Sequence, residues 1–151
     1  MPTTQPQLHV LSFPEHLLVW TWRKLVSGRG GCPLVGREYA AFDGGEEMLV
    51  ALAAFLRALG QGSRRALSVG PPGCLGMTAD ERQMLALLAA GQCEDETLIA
   101  AHLDWLVRPE SRDGVAAAVR CLARTLTAND LDLPRPAIAA MSAAPMLAVV
   151  N

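Results

Sequence analysis

Lysine is almost missing from this chain. Of thirteen basic residues among 151, only Lys24 is a lysine, and the net charge is -2. That balance lacks the basic footprint of a nucleic-acid binder. The arginine bias travels with abundant alanine, glycine, proline and leucine, so genome composition explains it without a function. Long apolar runs are missing too. The longest, "MLVALAAFL", has nine residues, and a membrane span needs about 20. The opening "MPTTQPQLHV" has neither the charged start nor the apolar stretch of a signal peptide. These absences predict a cytoplasmic protein that does not bind membranes. Aromatics make up 5%, and Val, Ile and Thr are thin in mid-chain, which disfavours an all-β fold.

Catalytic signatures are also absent. There is no P-loop, dinucleotide fingerprint, nucleophile elbow or H-E-x-x-H. An enzyme is therefore unsupported by any motif. The four cysteines, Cys32, Cys74, Cys93 and Cys121, include no close pair of the kind that announces zinc. In a cytoplasmic chain they are expected as thiols.

What is present is helical punctuation. Ser12 and Glu15 have capping-box spacing, with Pro14 in the first turn. A helix is predicted from there to Ser27, closed by Gly28. "LVGREYAAF" suits a short helix. Asp43 and Glu46 repeat the capping spacing before a helix whose stripe is Met48, Leu49, Leu52, Phe55, Leu56 and Leu59, stopping at Gly60. "SRRALSVGPPG" reads as extended. Thr78 and Glu81 form a third capping box, opening a helix that ends at Gly91. Asp95 caps a helix running to Val107, stopped by Pro109. The last helix spans Arg112 to Thr127, and Asn129 ends it. The prediction is all-α: a single-domain bundle of about five helices with short loops. Residues 1–11 form a lead-in that includes a possible short strand in "LHVLSF". Residues 12–133 form the helical domain, and 134–151 form a Pro/Ala-rich tail.

Two sets of side chains stand out. Cys74 sits in "VGPPGCLGMTADERQ" between Gly73 and Gly76, just before a helix start. It reads either as an apolar plug under the turn or as a ligand or reactive thiol. With Cys32 and His102 it would make a zinc or iron site or a redox centre. His102 falls on the apolar face of its helix. The bland reading there is a core imidazole bonded to a backbone carbonyl. The second set lies on the first helix. Trp20 is nearly opposite the face of Leu18, Trp22, Leu25 and Val26, with His16, Arg23 and Lys24 around it. A tryptophan bordered by cations has the composition of a binding hot spot.

"FPEHLLVWTWR", "VGPPGCLGMTADER" and "LIAAHLDWLV" together resemble a family of small uncharacterised alphaproteobacterial proteins. The shared pattern is a P-H/E-LLVW first helix, a Pro-Gly-Cys turn leading into T/S-x-D-E-R, and an LxWL helix. It covers Phe13 to Pro134. The resemblance implies a bacterial one-domain protein and transfers no catalytic residue. The expectation is a non-enzymatic interaction or regulatory module. Its partner is another protein or a second copy, as in a homodimer, met through the face around Trp20 or through the apolar end of the tail. The alternative is a metal- or redox-responsive protein using Cys74, Cys32 and His102.

Overall fold

The computed structural model describes residues 11–28 and 33–134. Within them the chain forms six α-helices and no named strand, so the all-α expectation holds. The helices are α1 (Phe13–Val26), α2 (Pro33–Ala40), α3 (Gly45–Gly62), α4 (Ala79–Gln92), α5 (Glu96–Leu106) and α6 (Arg112–Ala128).

Local chemistry accounts for most of the boundaries. Ser12 caps α1: its Oγ accepts from Glu15 N, while the Glu15 carboxylate accepts from Ser12 N. Thr78 and Glu81 make the same reciprocal pair at α4. Asp95 caps α5 through Leu98 N. Each cap satisfies donors that a helix start leaves open.

The start of α3 differs from the sequence expectation. No Asp43–Glu46 box forms. Gly44 is the cap residue and has no side-chain cap bond. Its N–H instead donates to Asn129 Oδ1 from the end of α6. Gly45 then lies so close to Tyr39 O that a β-carbon there would be 1.7 Å from it. The tertiary contact, not a local cap, decides where α3 begins. The helix also continues through Gly60 to Gly62, because an exposed glycine lowers helix propensity without ending a well-packed helix.

Helix α6 lies against both α3 and α4, and α5 packs on α4 and α6. The α4–α6 approach is close because Gly91 faces Val119 and Ala123. Trp22, Phe55, Leu52, Leu88, Val119 and Leu122 are buried at the centre. The short helix α2 sits on α3, and its Tyr39 hydroxyl meets Thr21 of α1 at 2.9 Å.

Two non-helical segments complete the body. After α3, Arg64 N donates to Leu106 O and Arg108 N donates to Gly62 O, around an antiparallel bridge between Ser63 and Val107. At the far end the Gln92 amide holds the chain after α6. Its Nε2 donates to Leu131 O, and its Oε1 accepts from Leu133 N. Leu131 and Leu133 are buried there. The possible strand in "LHVLSF" and the apolar tail lie largely or wholly outside the described residues.

Candidate functional site

The Pro-Gly-Cys turn is organised by a buried arginine. Pro71 O accepts from Cys74 N, and Gly73 takes φ +87°, a conformation that favours glycine. Arg23 reaches this turn from α1 with its side chain only 2% exposed. Its Nε and Nη2 grip the two carboxylate oxygens of Glu81 at 2.6 and 2.8 Å. Its Nη1 donates to Cys74 O and its Nη2 to Gly76 O, both at 2.7 Å. Gly70 is needed beside it, since a β-carbon at that position would be 2.8 Å from Arg23 Nη2.

Glu81 is fully buried and is satisfied from several sides. Besides Arg23, it accepts from Thr78 N and Gly70 N. Burial pushes its carboxyl up, but Arg23 and the backbone donors outweigh that and hold it below the ordinary 4.5. Asp80 next to it works on the other side of the loop. Arg65 binds both its oxygens, at 2.9 and 2.6 Å, and Ser68 N donates at 2.7 Å. The Arg65 hydrogen bonds are the main reason its carboxyl sits below 3.8. Adjacent acids at the start of α4 thus bind opposite halves of the segment Arg65–Gly76.

These contacts correct two expectations. Arg23 does not belong to the exposed face around Trp20; it is a core ion pair. Cys74 is not an apolar plug, because it is exposed. The turn uses the carbonyl of Cys74 and leaves the side chain outside.

Of the expected metal set, Cys74 and His102 lie among the described residues. No group of three or more His, Cys, Asp and Glu there is placed to hold an ion. Cys32 lies outside the described residues. His102 is half-buried on α5, and its Nε2 is buried with no hydrogen-bond partner among them. The expected carbonyl partner is therefore not found at that nitrogen. Burial alone pushes the imidazole below its ordinary 6.5, which keeps it neutral near pH 7.

His16 and Lys24 both lie beside Trp20. Lys24 Nζ lies 5.9 Å from the centre of the Trp20 ring, a cation–π distance. Trp20 is half-buried against the core. With Phe13, His16 and Leu17 of α1 and Leu34 and Glu38 of α2, it lines a groove of about 300 Å³. Phe13 is 60% and Leu34 50% exposed, large values for apolar side chains.

A second surface escaped the sequence reading. Trp105 is 73% exposed near the end of α5. Arg64, Arg65, Leu67, Asp104 and Leu106 complete a cleft of about 500 Å³ around it. The signal was present: Ile99, Leu103 and Leu106 form the buried stripe of α5, and Trp105 falls off that stripe at helical period.

The chain matches no protein-family model, no curated protein and no solved structure. No helix among the described residues is long and apolar enough to cross a membrane.

Proposed function

We propose that the chain is a non-enzymatic protein-interaction module that binds a second protein chain, most simply another copy of itself, through the α1–α2 groove. One observation carries this reading. Phe13, Trp20 and Leu34 present contiguous apolar surface around a concave groove, rimmed by His16 and Glu38. Exposed apolar patches with a polar rim mark interaction sites. Tryptophan supplies large contact area and dominates binding energy where it is enclosed. Glu38 puts a carboxylate on the groove, and Lys24 puts a cation over the Trp20 ring beside it, a combination that suits an isologous contact, in which each side meets its own complement.

Sedimentation velocity over a range of concentrations tests the reading. The expected result is a concentration-dependent dimer. Leu34→Asp and Phe13→Asp should each weaken it by about tenfold or more, the scale of a lost interface anchor. Both positions are exposed, so the thermal unfolding of the variants should stay near that of the parent. Trp20→Ala is a poorer probe because Trp20 also packs on the core. A chain that stays monomeric at every concentration would remove the second-copy reading. A dimer indifferent to both substitutions would place the contact on another face.

A further inference from the structure

We propose that the Trp105 cleft is a separate docking site whose occupant is an acidic peptide segment of a partner protein, with an apolar side chain beside its carboxylates. Exposed indole and a half-buried Leu67 supply an apolar wall in a cleft of about 500 Å³. The charge on its rim decides the occupant. Arg65 is already bound to Asp80, and Asp104 is bound by Arg112. Arg64 has no carboxylate partner among the described residues. Its Nε donates to the Asp104 carbonyl at 3.1 Å, which lays the guanidinium along the rim. The cleft therefore carries an uncompensated cation on a chain whose net charge is -2. A carboxylate approaching this rim meets a locally complementary field and a bidentate donor. Exposed tryptophan beside arginine is also the composition that dominates measured interface energies.

The wall is held in place before any partner arrives. Arg64 N is bonded to Leu106 O and Arg108 N to Gly62 O, so both sides of the cleft are joined through the backbone. Such preorganisation lowers the ordering cost of binding. The site shares no residue with the α1–α2 groove, so the two proposals stand or fall separately.

The test is a random peptide library displayed on phage and panned on the full chain. The expected result is enrichment of sequences that place Asp or Glu next to a large apolar residue. Trp105→Ala should weaken the selected peptides by at least about tenfold, the effect of losing an anchor. Arg64→Glu should abolish their binding and, when panned afresh, should select basic peptides instead. Leu34→Asp should leave them bound. Failure to enrich any sequence, or enrichment without acidic bias, would overturn the proposal. So would peptides that bind equally to Trp105→Ala, or that are lost in Leu34→Asp. Because Arg64 and Trp105 are both exposed, two independent variants report on the site without disturbing the core.

Discussion

At the residue scale, Arg23 is held on every side. A buried arginine is tolerated because carboxylate oxygens or backbone carbonyls take all three of its nitrogens. Removing one member of such a pair leaves the other charge uncompensated in the interior. Arg23→Met should therefore cost about 3–5 kcal/mol in urea unfolding, the usual cost of breaking a buried pair. Glu81→Gln should cost a comparable amount, and the double variant should cost less than the sum, because neither leaves an orphan charge in the absence of the other. Additive losses would show that the two side chains act independently. Sequence alone placed Arg23 beside Trp20, one residue from Trp22, and nothing local distinguished it from a surface cation. Its partner is 58 residues away along the chain.

At the element scale, glycines act in opposite directions according to what lies beside them. Gly60 sits on the exposed side of α3 with nothing within 4 Å of a β-carbon. Gly60→Ala should stabilise by about 0.5–1 kcal/mol, since alanine loses less backbone entropy in a helix. Gly45, at the start of the same helix, faces the Tyr39 carbonyl, where a β-carbon would lie at 1.7 Å. Backbone cannot turn aside as a side chain can. Gly45→Ala should destabilise by about 3 kcal/mol, the upper part of the range for overpacking. Thermal unfolding of the two variants checks the opposite signs; a stabilising Gly45→Ala would mean that the α2–α3 corner yields. Helix existence was legible from capping spacing and apolar stripes. The α3 start was not, because Gly44 and Asn129 meet only after α6 has docked.

At the scale of the whole molecule, stability should fall in two windows on acidification. His102 is held below 6.5 by burial, so the unfolded chain takes up a proton there before the folded chain does. Stability is therefore greatest above 6.5 and declines as the pH falls toward the lower folded value. Glu81 and Asp80 follow the same sign at lower pH. Their folded values lie below 4.5 and 3.8, so their contribution is present above those values and is lost as acid protonates them. Urea midpoints measured from about pH 8 downward should show both declines. His102→Asn should flatten the upper window and leave the lower one; an unchanged profile would show that the imidazole titrates normally. Glu81→Gln should reduce the lower decline. The Asp80 share should shrink in high salt, since its partner Arg65 is exposed and screened.

Sequence by itself determined the class of the protein and most of its parts. Reciprocal Ser12–Glu15 and Thr78–Glu81 pairs, the Asp95 cap and the periodic stripes are local, and local chemistry is visible in order along a chain. The tertiary structure decided what each singular residue does. Cys74 stood out for its thiol, yet the fold uses its carbonyl. Arg23, expected at the surface, is in the core, whereas Trp105 stands outside it. Burial of a particular side chain depends on which distant segment arrives to cover or pair with it. That information lies in the packing of α1 against the α4 turn and of α5 against residues 62–64, not in either stretch alone.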